Sequence, residues 1–171
     1  MAHFTPTPST FGLLDLAMRK AVQPKRILDL CCGNGWLAKS LSRLFPNAEV
    51  WASDIRDDEF TYDDKIHWNK GDLFENLSGM FDLIICNPPY CTTKTVDLMK
   101  CEPRVAYDGG EDGFDLIQRI LTQINDHLTD NGVIALEIGD FHAEKMTGFE
   151  LYKDSHGWER YALGRKREWQ K

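Results

Sequence analysis

Two patterns of apolar residues alternate along the chain. Short, mostly apolar runs occur at Arg26-Ile27-Leu28-Asp29-Leu30, at residues 49–54 and at Phe81-Asp82-Leu83-Ile84-Ile85-Cys86; a weaker one lies at 66–68 and another at 133–138. Runs this short, bounded by polar or turn residues, predict strands buried on both faces. Between them lie stripes at helical spacing. Residues 9–20 predict a helix capped by Ser9, with Phe11, Leu14 and Met18 on one face and Pro24 just past its end. Leu37, Leu41, Leu44 and Phe45 predict a second helix, stopped by Pro46. Ile117, Ile120, Leu121, Ile124 and Leu128 form the clearest stripe, closed by Asn131-Gly132. Residues 149–164 predict two strands joined by a turn at 154–157. Strands alternating with helices predict an α/β fold with a mostly parallel sheet, and the closing pair predicts an antiparallel edge.

With 171 residues, the whole of 1–171 reads as one domain large enough for its own core. No apolar run approaches the ~20 residues of a membrane span, and the opening residues lack the basic-then-apolar pattern of a secretory signal. Five cysteines, including the adjacent Cys31-Cys32, fit neither a disulfide framework nor a zinc site, so reduced thiols in a cytoplasmic protein are expected. His3, His67, His127, His142 and His156 show no metal-ligand spacing and read as structural; Trp51 and Trp68 read as core. The net charge of −7 speaks against a phosphate-gripping surface, although Arg165-Lys166-Arg167, read mainly as a solvated tail, leaves room for nucleic acid or an acidic partner.

Chemistry concentrates where strands end. Asp29-Leu30-Cys31-Cys32-Gly33-Asn34-Gly35 joins the first strand to a helix, and its glycines permit positive φ and close approach of a ligand to bare backbone. The pattern is D-x-x-x-G-x-G without the third glycine of a dinucleotide loop, which suits a cationic ammonium and sulfonium better than a pyrophosphate. Asp54 ends the second run, where an acid can accept both ribose hydroxyls of an adenosine; Asp72, after the third, can accept from an adenine amino group. One such acid would read as a helix cap; three in register read as a site for S-adenosylmethionine.

Asn87-Pro88-Pro89-Tyr90 follows the strongest strand. Two prolines stiffen the loop and remove two N–H donors. The Asn87 side-chain oxygen and the Pro88 carbonyl can accept both hydrogens of a planar –NH₂ group, and Tyr90 offers a ring for it to stack on. Drawing those N–H bonds into position aims a delocalised nitrogen lone pair at a methyl sulfonium, with no strong base needed before attack.

From about Thr5 to Arg167 the chain resembles the HemK/PrmC class of protein-glutamine methyltransferases, which modify peptide-chain release factors. Pro6-Thr7-Pro8-Ser9-Thr10 is similar to the family segment P-R-P-[ED]-T, residues 27–36 to its glycine loop and residues 87–90 to its catalytic loop. The most particular likeness is residues 102–113, which follow the pattern E-P-x-x-A-L-x-G-G-x-D-G with Tyr107 in place of Leu; Leu136-Glu137-Ile138-Gly139 matches a further block. The resemblance implies a Rossmann-like class I methyltransferase fold, a seven-stranded sheet whose last strand is antiparallel. It implies catalysis by Asn87, Pro88, Pro89 and Tyr90, and cofactor contacts from Asp29, Cys31, Gly33, Asn34, Gly35, Asp54, Ile55, Asp72, Leu73 and Asn87. It implies a protein substrate, with an adenine amino group of RNA or DNA as the alternative, since NPPY occurs in those enzymes too.

Three departures stand out. The family's bacterial members carry an N-terminal helical domain, which is expected to be absent here; relatives without it often work with a small zinc-binding activator. Only 17 residues separate Asp54 from Asp72, and residues 55–65 show no amphipathic stripe, so the helix normally found there is expected to be missing. Cys31, Cys32 and Trp36 replace small loop residues, and Trp36 is expected to pack against the neighbouring helix.

Overall fold

The computed structural model describes residues 5–58 and 60–166. Seven strands form one sheet: β1 (Arg26–Leu30), β2 (Glu49–Asp54), β3 (Ile66–Lys70), β4 (Phe81–Cys86), β5 (Leu128–Glu137), β6 (Glu150–Lys153) and β7 (Glu159–Arg165). Their spatial order is β3-β2-β1-β4-β5-β7-β6. β1 to β5 pair in parallel, and β7 runs antiparallel between β5 and β6. The α/β architecture with an antiparallel last strand is therefore as expected, and the expected turn at 154–157 joins β6 to β7.

Alternation along the strands divides the core into two layers. Ile27, Leu83, Ile85 and Ala135 face α1 (Pro8–Lys20) and α2 (Trp36–Leu44); Leu28, Leu30, Ile84 and Leu136 face α4 (Asp115–Gln123) and Phe74. A short α3 (Thr93–Met99), not anticipated from the apolar pattern, follows the proline loop.

Four expectations need correction. Thr7, not Ser9, caps α1: its hydroxyl accepts from the Thr10 N–H, while the Thr10 hydroxyl accepts from the Thr7 N–H. Pro8 takes the first helical position, for which its fixed φ is suited. The face that α1 buries is Leu13, Leu16 and Ala17, whereas Phe11 and Met18 are exposed; Phe11 sets its ring edge-on to Trp36 of α2, centroids 5.1 Å apart. Third, α4 stops at Gln123, so Leu128 opens β5 and Asn131-Gly132 lie inside that strand. There the pairing with β4 jumps from Phe81↔Leu128 to Leu83↔Val133, leaving an irregularity that a glycine accommodates. Finally, Arg165 belongs to β7 and Lys166 donates to the Leu128 carbonyl at 2.6 Å, so these two residues are not a solvated tail. Arg167 and His3 lie outside the described residues.

Trp51 and Trp68 are partly buried; Trp51 stacks on His67 at 4.8 Å and Trp68 on Phe60 at 4.3 Å. Residues 55–58 and 60–65 contain no helix or strand, in line with the shortened connection. Phe60 nonetheless covers the glycine loop, since a Cβ on Gly35 would meet its ring at 2.5 Å.

Candidate active site

After β1 the chain moves outward to β2 and β3, then jumps back to β4 on the other side of β1. At such a reversal the loops leaving the carboxyl ends diverge and open a crevice. A cavity of about 750 Å³ lies there, within the ~300–1,000 Å³ common for small-molecule sites. Of the expected cofactor residues it is lined by Cys31, Gly33, Asp54, Ile55, Asp72, Leu73 and Asn87, and with them by Pro88, Pro89 and Tyr90.

The glycine loop is held open by its own backbone. Cys31, Gly33 and Gly35 have φ of 57°, 52° and 74°. A Cβ on Gly33 would meet nothing within 4 Å, so this stretch of backbone is bare toward open space. Asp54 bridges two loops: one carboxylate oxygen accepts from the Gly33 N–H at 2.8 Å, the other from the Arg56 N–H at 2.9 Å. These two donors fix the orientation of a carboxylate that has about four acceptor positions. A ligand with vicinal hydroxyls and a nucleoside-sized body fits this combination of acceptors, bare backbone and space.

Asp29, Asn34 and Gly35 stand behind the cavity wall. Asp29 is fully buried and accepts from the Ala38 N–H at 2.8 Å, pinning the start of α2; its other oxygen has no partner among the described residues. Burial pushes its carboxyl up to about 8, and the neighbouring Asp54 adds to the shift. Asn34 accepts from the Trp36 N–H and shapes the turn. Asp72, which lines the cavity, forms an ion pair with Arg119 of α4 at 2.7 Å. Leu73 adopts φ of 55° and its carbonyl accepts from Ser53. Neither Cys32 nor Cys86 is poised to react, since burial pushes both thiols well above their usual range.

Residues 87–90 leave β4 directly into the cavity. Asn87 is half-buried, and its side chain makes no hydrogen bond to the described residues. Tyr90 donates to Glu137 at 2.9 Å; burial first, then that carboxylate, pushes its phenol up and keeps it protonated.

What makes the loop stiff beyond its prolines is the 102–113 segment. The Cys91 N–H donates to the Tyr107 carbonyl and the Gly109 N–H to the Cys91 carbonyl, at 2.9 and 2.8 Å. Asp108 accepts from Thr93 Oγ1 and the Gly110 N–H. His142, buried, completes the brace: its ring accepts from the Gly139 N–H and contacts the Asp112 carbonyl. The glycines of this segment let two backbones touch. Sequence reasoning missed Glu137, Arg119 and Ser9 as cavity residues. For Glu137 a signal existed: it is the one charged residue in the apolar run 133–138, close to its carboxyl end.

The chain is similar to known proteins in sequence and in fold. Residues 10–147 match the methyltransferase small domain family. The ribosomal protein uL3 glutamine methyltransferase of Francisella tularensis is 36% identical over 129 residues, 67% of this chain and 41% of that protein. The release factor glutamine methyltransferase of Gloeobacter violaceus is 29% identical over 155 residues, 80% of this chain and 54% of that one. This chain thus spans about half or less of the length of these relatives. In fold it is similar to the E. cuniculi Mtq2–Trm112 complex structure, responsible for methylation of the eRF1 termination factor, with TM-score 0.68 and 19% identity over 97% of this chain and 99% of that one. It also matches the ribosomal protein L11 methylase of Lactobacillus delbrueckii, with TM-score 0.65 and 22% identity over 92% and 79% of the two chains. The chain belongs to the methyltransferase small domain family, with HemK-like glutamine methyltransferases among its relatives and S-adenosylmethionine as its methyl donor.

Proposed function

We propose that this chain, acting as one cytoplasmic domain, methylates the side-chain amide of a glutamine in a protein of the translation apparatus, with a release factor or a ribosomal protein as substrate. The observation that carries the reading is the placement of Asn87. Its amide is uncommitted, and it stands in one cavity with Gly33 and Asp54 on a loop immobilised by residues 108–113.

The cofactor, when bound, supplies an electrophilic methyl group on a sulfonium. Asp54 would accept its ribose hydroxyls, Gly33 and Cys31 would border its amino-acid end, and Ile55, Asp72 and Leu73 would flank the adenine. Asp29, Asn34 and Gly35 hold that loop from behind. Asn87 Oδ1 and the Pro88 carbonyl accept the two hydrogens of the target –NH₂, and the Tyr90 ring supports its plane. That orients a weak nucleophile without deprotonating it, a contribution from positioning and fixed dipoles. A small activator partner is part of this reading, to supply docking area beyond the domain.

The reading is tested by incubating the protein with labelled S-adenosylmethionine and a release factor or uL3, each native and with the target glutamine changed to alanine, beside bulk RNA and DNA. Label is expected on the native proteins alone. Label on nucleic acid, or on the alanine forms, overturns it in favour of adenine.

A further inference from the structure

Glu137 is the last residue of β5, and the register Cys86↔Leu136 sets it beside Asn87 at the rim of the sheet. It lines the cavity yet is 2% exposed. One oxygen, Oε1, accepts twice, from Ser9 Oγ at 2.9 Å and from Tyr90 Oη at 2.9 Å. The other, Oε2, is buried and has no partner among the described residues.

A purely structural staple between α1 and the proline loop does not require this arrangement. Two hydroxyl donors on one oxygen are served as well by a glutamine, which carries no charge to bury. Arg160 of β7 does not take the second oxygen either: its guanidinium donates to Asp154 and to the Ile138 carbonyl. A buried carboxylate oxygen without a donor costs free energy unless a ligand supplies one.

Strand order indicates which ligand. The ends of β1 and β2 carry Gly33 and Asp54, and β4 separates both from β5. Glu137 therefore lies beyond Asn87 on the side away from the ribose acceptors, where the methyl-accepting molecule must enter. Building on the amide-methylation reading above, we infer that Glu137 is a positioning residue that also selects the substrate. Through Oε1 it fixes the Tyr90 ring beneath the target amide, and through Oε2 it accepts a main-chain N–H of the polypeptide that presents this amide. A glutamine flanked by glycines offers such N–H groups unshielded by side chains. A nucleic-acid strand brings phosphates instead, and a buried negative charge repels them.

The test pairs protein and substrate changes. Glu137→Gln keeps size and an acceptor for Ser9 and Tyr90 but turns a donor toward the Oε2 position. With a glutamine peptide it is expected to leave the melting temperature and cofactor affinity unchanged and to lower kcat/KM by about 10–100-fold, the scale of one hydrogen bond to a charged group. Next, the peptide bonds on either side of the glutamine are replaced one at a time by esters, which removes a single N–H. One ester is expected to slow the wild type by a similar factor and leave Glu137→Gln unaffected. Wild-type kcat/KM in Glu137→Gln, or equal ester effects in both proteins, overturns the role of Glu137 while amide methylation stands. If the wild type fails on the unmodified peptide, the glutamine reading falls and this inference with it.

Discussion

A Cβ on Gly109 would come within 2.8 Å of the Pro89 carbonyl oxygen and 2.5 Å of the Gly113 carbonyl oxygen. The 108–113 ribbon therefore lies on the 87–90 loop as backbone on backbone, and only a glycine allows that approach. Gly109→Ala should push the loop away and destabilise the fold by about 1–3 kcal/mol, the usual cost of overpacking. Displacing Asn87 should lower turnover by about 10²-fold, the effect that a misplacement of about 1 Å can have. Gly157→Ala is the control. It has φ of +85° and open space around it, in the β6–β7 turn, so it should cost about 1 kcal/mol of stability and no activity. Urea unfolding and methyl-transfer rates on both variants decide it.

Binding and chemistry should separate at Asn87. Its side chain has no hydrogen bond to the described residues, so removing it breaks nothing in the fold. Asn87→Ala is expected to bind S-adenosylmethionine almost as the wild type does and to lose about 10²–10³-fold in turnover, by analogy with an oxyanion-hole donor. Calorimetric affinity measured alongside single-turnover rates would show the split. Equal losses in both would make Asn87 a structural residue.

The parts of this fold that were legible in the sequence are those where one local signal dominates. Asp54 and Asn87 end or follow a mostly apolar run and Asp29 lies one residue before the end of another, and a buried parallel sheet gathers its carboxyl ends at one rim, so their meeting followed from topology. α1 was read on the wrong face because Phe11, Leu14 and Met18 and the set Leu13, Leu16 and Ala17 both recur at helical spacing. Only packing against the sheet, chiefly β5 and β4, selects the second set. The length of α4 was misjudged because Ile124 and Leu128 prolong its apolar stripe in sequence while belonging to a 3₁₀ turn and to β5. Glu137 could be placed at a strand end, but its partners Ser9 and Tyr90 lie 128 and 47 residues away, beyond any periodicity.

Asp54 should govern cofactor affinity. Its oxygens already accept from the Gly33 and Arg56 N–H groups, so the carboxylate is fixed before a ligand arrives. Asp54→Ala removes the two oxygens proposed to accept the ribose hydroxyls and releases the loop, and hydrogen bonds to a charged group are worth about 1.5–3 kcal/mol each. A loss of affinity of about 10²-fold or more is expected, with the cofactor-induced rise in melting temperature falling in step. Asp72→Ala should have a smaller effect, because Asp72 is half-exposed and already paired with Arg119. Titration calorimetry with S-adenosylmethionine and its demethylated product gives the ranking; a larger loss in Asp72→Ala would reverse the assignment of the two acids.

Asp29 makes stability depend on pH in a direction opposite to that of an ordinary salt-bridged acid. Its carboxyl is fully buried, accepts one N–H from Ala38 and leaves an oxygen without a donor among the described residues. Burial raises its pKa from 3.8 to about 8, with Asp54 adding to the shift and the Ala38 hydrogen bond opposing it. Between these two values the folded chain holds a proton that the unfolded chain has lost. Its contribution to stability is therefore complete below about pH 4, declines as pH rises, and levels off above about pH 8, where both states are ionised. The slope in that window reaches at most ~1.4 kcal/mol per pH unit. Asp29→Asn keeps an acceptor for Ala38 and cannot ionise, so it should lack this slope. Urea midpoints of the two proteins at pH 5, 6, 7 and 8 isolate the effect, because every other titrating group is common to both. The variant is expected to gain on the wild type with each step upward. A difference that stays constant across the series would mean that Asp29 is already ionised in the fold at pH 5.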